Sequence, residues 1–155
     1  MTTTITGVNG IDNIRAATGA VLQVISATNT NSANGGFLLT TTSTSYVSVP
    51  LAVSITPSST SSKILVILNS STYRPASGYL TVYRGSTNIA GTNGLVNPTG
   101  SSSSRFEPFS VQYLDSPSTA SAVQYTLYAR TQAGTMYVGG DGDLVNSITV
   151  MEIAG

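Results

Sequence analysis

The sequence predicts an all-β protein: a two-sheet antiparallel sandwich, jelly-roll-like, preceded by an extended N-terminal arm. Three observations carry that expectation. Short segments rich in Val, Ile, Tyr and Thr, residues suited to a pleated and half-buried surface, recur along the chain. Turn signals built on Gly, Pro, Asn and Ser separate them at intervals of about 8–12 residues. No segment sustains a helical period of apolar side chains. A chain of 155 residues is long enough for two packed sheets, and it lacks the Trp and paired Cys of an immunoglobulin-type core.

Residues 1–18 carry few large apolar side chains. Ile5, Val8, Ile11 and Ile14 recur every third residue, but Gly7 and Gly10 between them argue against a helix. They read as an arm whose spaced apolar residues dock on something outside the domain, with an unstructured tail as the open alternative. The β domain is expected over residues 19–155, beginning with an apolar strand, Val21 to Thr28, and the loop NTNSANGG. Phe37 to Thr40 and Ser45 to Val49 follow as short strands. Leu51, Val53 and Ile55 then alternate with Ala52, Ser54 and Thr56, the period of a strand with one buried face, until Pro57 and SSTSS end it. Lys63 to Asn69 is apolar on both faces and reads as a central strand covered on both sides.

Tyr79 to Tyr83 alternates again, and Arg84-Gly85-Ser86 turns the chain into a short strand at Asn88 to Ala90. Thr92 to Ser104 is of low complexity and reads as an exposed loop. Phe106 to Leu114 resumes as a strand, with Pro108 marking an edge or an irregular start. In Ala122 to Thr131, Val123, Tyr125, Leu127 and Ala129 alternate with polar and aromatic residues. Gln132-Ala133-Gly134 then reads as a hairpin turn into Thr135 to Val138. After the loop GGDGD, Ser147 to Ile153 closes the domain with Ile148, Val150 and Glu152 on one face. The expected core is Val24, Leu51, Val53, Ile55, Ile64, Val66, Leu68, Leu80, Val82, Val111, Tyr125, Leu127, Ile148 and Val150.

Composition narrows the chemistry. The chain has no His and no Cys, and only 8% of it is charged, against about a quarter in ordinary soluble domains. Ser and Thr together number 46. Such a chain builds sheets well and offers few acids, bases or nucleophiles, so no enzyme activity, cofactor or metal is expected. Lys63, the only lysine, sits at a strand entrance and reads as a solvated charge. Asp141-Gly142-Asp143 has two possible Ca²⁺ ligands but reads better as a turn. Glu152 reads as a strand-end carboxylate or as a partner for an Arg at a subunit contact. The eight Tyr fall mostly in or beside strands, where cross-strand packing is their expected role and a sugar-binding cluster the alternative.

Arg15, Lys63, Arg74, Arg84, Arg105 and Arg130 are scattered singly, which disfavours nucleic acid as a partner. A formal net charge of zero suits copies fixed in an assembly better than free monomers. The longest apolar run, Ile64 to Leu68, is far too short to span a bilayer, so no membrane insertion is expected. The start has neither a basic nor an apolar stretch of the secretory kind, consistent with synthesis in a cytoplasm.

The segments GAVLQVISAT, VSITPSSTSSKILVILNS, LTVYRGSTNIAG, FSVQYLDSPSTASAVQYTLYARTQAGTMYV and SITVMEIAG stand in that order from Gly19 onward. In these segments the chain resembles a surface domain recurrent in virion proteins of tailed phages, cyanophages among them. The resemblance implies a structural protein on the outer surface of a virion, assembled as a homotrimer. Its implied partner is the major capsid protein or another virion protein, with a host surface glycan as a further possibility. Relatives of this kind end tail-fibre-like proteins, and a fibre needs a shaft. Only about 18 residues without a repeat precede the domain here. The expectation is therefore a capsid decoration (cement) protein, with the receptor- or glycan-binding tip of a tail or head fibre as the alternative.

Overall fold

The computed structural model describes residues 17–30, 36–73, 77–98, 106–140 and 144–155. Among them, ten strands form two antiparallel sheets packed face to face. They are β1 (Val21–Asn29), β2 (Leu39–Thr41), β3 (Val47–Ile55), β4 (Lys63–Tyr73), β5 (Gly78–Arg84), β6 (Thr87–Asn88), β7 (Phe106–Asp115), β8 (Val123–Thr131), β9 (Met136–Val138) and β10 (Asn146–Ile153). In sheet A, β4 is central, flanked by β10 and β7, and β1 pairs with the far side of β10. Sheet B runs β3-β8-β5-β6. Leaving aside the short β2 and β9, each sheet has the interlocked strand order of a jelly roll. The pair β2–β9 extends sheet A from the end of β4.

Strict alternation builds the core. On β4, Ile64, Val66 and Leu68 point into the sandwich, and Ile148 and Val150 of β10 meet them from the neighbouring strand. Sheet B answers with Val49, Leu51, Val53 and Ile55 of β3, Leu80 and Val82 of β5, and Tyr125, Leu127 and Ala129 of β8. Burial of that kind removes about 1.5–3 kcal/mol worth of apolar surface from water per large side chain. The edge of β5 beyond β6 is closed by the chain itself. Leu95 and Val96 exchange backbone hydrogen bonds with Leu80 at 2.8–3.2 Å, so this part of the expected loop is docked and half-buried. Gly94 makes that approach possible: its φ is +65°, and a side chain there would meet the Leu80 carbonyl.

Several expectations need correction. Val24 is 54% exposed and faces outward, because Gln23, in phase with Ile25 and Ala27, turns inward to a buried carboxylate. Val111 is only partly buried, since β7 is an edge strand of sheet A. Leu38, Met136 and Val138 join the core instead. The two strands expected at Ser45 to Val49 and Leu51 to Ile55 are one, β3, which begins at Val47. Pro50 is tolerated because β3 is an edge strand and its pairing with β8 is interrupted between Ser48 and Ala52. The Gln132-Ala133-Gly134 turn is no hairpin. Gly134, at φ +73°, takes the chain from β8 in sheet B to β9 in sheet A. The strand at Lys63 is central as expected, but Leu65 and Ile67 on its outer face stay half-exposed.

Candidate functional site

Two carboxylates stand on one row of sheet A, facing inward at the same end of the sandwich. Asp115 of β7 and Glu152 of β10 are both register partners of Ile64 on β4. They therefore lie two strand spacings, about 9–10 Å, apart. Their separation in sequence hid that pairing. Glu152 is completely buried. Its Oε1 accepts the Ser58 backbone N–H at 2.7 Å and the Ser58 and Ser62 hydroxyls at 2.6 Å each, and its Oε2 accepts the Gln23 amide at 2.7 Å. Desolvation pushes this carboxyl's pKa up. The bonds from Ser58, Ser62 and Gln23 outweigh it, so the value falls from 4.5 to about 2. Glu152 is thus neither a strand-end charge nor an Arg partner. It clamps β1 and the β3–β4 connection to the last strand.

Asp115, 7% exposed, accepts Arg84 Nη1 on both oxygens at 2.7 and 2.9 Å and the Tyr125 hydroxyl at 2.7 Å. Arg84 and Tyr125 belong to sheet B, so the triad pins the two sheets together. Burial, then the bond to Asp115, pushes the Tyr125 phenol far above its ordinary value. With every oxygen engaged by donors, neither carboxylate is presented as a general acid or base. Tyr125→Phe should lower stability by about 1.5–3 kcal/mol, the range for a hydrogen bond to a charged group. Urea unfolding measures it, and an unchanged midpoint would contradict the triad's role.

Lys63 is exposed at the entrance of β4, as its position suggested. Among the described residues no group of three or more His, Cys, Asp or Glu is placed to hold a metal ion, and no helix is long and apolar enough to cross a membrane. Ile5, Val8, Ile11 and Ile14, and the Asp141 and Asp143 pair, lie outside the described residues.

The outer faces of the two sheets differ in chemistry. On sheet A, one register row reads Val24, Met151, Leu65, Leu114 from β1 to β7. Val24 is 54% and Leu114 51% exposed, and no charged side chain interrupts the row. The described chain enters beside it: Gly19 donates to the Ala154 carbonyl at 2.7 Å, and exposed Val21 and Leu22 follow. Further along this sheet, Phe37, Tyr73, Phe106 and Tyr137 cluster with ring centroids 4.7–6.3 Å apart.

Sheet B presents Tyr79 and Tyr83 of β5, Tyr128 and Arg130 of β8, and Tyr46 just before β3. Tyr83 stacks on Tyr128 with centroids 4.0 Å apart, and Tyr46 meets the edge of that stack at 6.0 Å. The Arg130 guanidinium lies 4.4 Å from the Tyr79 ring centroid and 5.2 Å from that of Tyr46. Tyr46 donates to the Thr92 carbonyl at 3.0 Å. Burial raises the Tyr46 phenol's pKa, although Arg130 opposes the shift. The period-2 reading placed these tyrosines in strands. Their gathering across three elements was not legible, because it depends on which strands are neighbours.

Comparison with protein-family models gives no match, and comparison with curated proteins gives none either.

Proposed function

We propose that this chain is a structural protein of a tailed-phage virion, a decoration protein of the outer capsid shell. The carrying observation is the uncharged row of exposed Val24 and Leu114 and half-exposed Met151 and Leu65 on the sheet face beside the chain's entry. Aliphatic side chains left half in water gain about 25 cal/mol per Å² when a partner covers them. In this reading the arm, through Ile5, Val8, Ile11 and Ile14, and this row together hold the domain to the major capsid protein or another virion protein. The copies associate as a homotrimer. The resemblance to phage surface domains and the low charge support the same conclusion.

Cryo-EM of the intact virion tests it, with density for the jelly roll expected on the shell. Deleting residues 2 to 17, or combining Val24→Asp with Leu114→Asp, should leave the β domain folded while abolishing incorporation into particles. Normal incorporation of both variants, or a monomeric mass by light scattering, would count against the proposal. The second reading, a receptor- or glycan-binding fibre tip, draws on the Tyr and Arg face of sheet B. It predicts density at the tail or on a head fibre instead.

A further inference from the structure

We infer that the outer face of sheet B is a binding site for a carboxylate-bearing sugar, a uronic-acid type of glycan. The inference deepens the glycan-binding reading and rests on it, and it holds whether the domain sits on shell or fibre. Tyr46, Tyr79, Tyr83 and Tyr128 supply flat apolar surfaces with polar tips, held by strand pairing and mutual stacking. A pyranose ring presents a face of C–H groups to such a surface and keeps its hydroxyls at the rim. Rings already fixed by their neighbours lose little freedom when a ligand arrives.

Arg130 sets the ligand's charge. Its guanidinium carbon lies over the Tyr79 and Tyr46 rings, and one N–H group hydrogen-bonds the Tyr46 phenol, so the remaining N–H groups are left to donate. Of its five donors, Nη2 reaches the Thr92 carbonyl at a long 3.4 Å. The ion pair among the described residues is Arg84 with Asp115, across the core, so none of the described carboxylates neutralises Arg130. A cation embedded in aromatic rings, with no carboxylate paired to it among the described residues, complements an acidic group. A planar carboxylate matches the guanidinium fork. The aliphatic row on sheet A has no such directional group.

The test is a titration of the full chain with a galacturonate oligomer, with a neutral maltose oligomer of equal length as control. The chain has no Trp, so tyrosine emission reports on the rings directly. Calorimetry gives the affinity. The expected result is saturable binding of the acidic oligomer, with Arg130→Gln and Tyr128→Ala each weakening it at least about tenfold while the protein stays folded by circular dichroism at the titration temperature. If Tyr128→Ala does not fold, Arg130→Gln together with Arg130→Lys carries the test, with Lys restoring only part of the affinity. Equal binding of the neutral oligomer would overturn the acidic preference while leaving glycan binding in place. No binding of either oligomer, or binding untouched by the variants, would overturn both.

Discussion

Val66→Asp is expected to give an unfolded or insoluble protein. Val66 is 1% exposed at the centre of β4, with Val150 and Tyr113 as its register partners on either side. An aspartate there would place a carboxylate among Ile64, Leu68, Ile148 and Val150, with no donor supplied by those side chains. Burying an unpaired charge, or the proton uptake that avoids it, costs several kcal/mol. A domain of this size has only about 5–15 kcal/mol of stability in total. Far-ultraviolet circular dichroism and solubility on expression measure the outcome. A soluble variant with native-like melting would show that this part of the core is looser than its burial indicates.

Glu152→Ala is expected to destabilise by about 3 kcal/mol or more, because four donors lose their acceptor in a buried site. For a chain of this length that corresponds to a melting temperature lower by roughly 6–12 °C. The same clamp makes stability depend on pH in a defined direction. The folded-state pKa, about 2, is depressed below the ordinary 4.5, so between those values the unfolded chain binds the proton and the folded one does not. The contribution is complete above pH 4.5, shrinks as the pH falls, and is lost below about 2; its full size is about 3 kcal/mol. The stability gap between wild type and Glu152→Ala should therefore narrow from pH 5 to pH 2. A gap constant across that range would overturn the assignment.

Most of the sandwich was legible because alternation survives wherever one face is buried. The inward residues of β8 and β10 were read correctly, including Glu152 in phase with Ile148 and Val150. What failed was phase at the first strand. In VLQVISAT both parities are apolar, and the deciding residue is Gln23, whose inward turn makes sense only once Glu152 is known to wait there. The Gln132-Ala133-Gly134 turn failed for a related reason. Local turn chemistry looks the same whether the next strand pairs with its predecessor or crosses to the other sheet. The opposed faces were the least legible part. Val24, Met151, Leu65 and Leu114 form a row only through register, and Tyr46 reaches Arg130 only through the sheet B order.

The pairing of the first strand with the last, Val21 opposite Ile153 and Asn29 opposite Asn146, also fixes when the molecule can fold. During synthesis at about 5–20 residues per second, β1 waits roughly 6–24 s for its partner to be made. β4 meanwhile lacks its pairing with β10 from Lys63 to Asn69, and that stretch of its hydrogen-bonding edge is open. Topologies dominated by such distant pairings fold in milliseconds to seconds once the chain is complete. The last eight-residue strand therefore acts as a checkpoint. A polypeptide cut short before Asn146 supplies neither the partner of β1 nor the Glu152 clamp, so it is expected to remain unfolded.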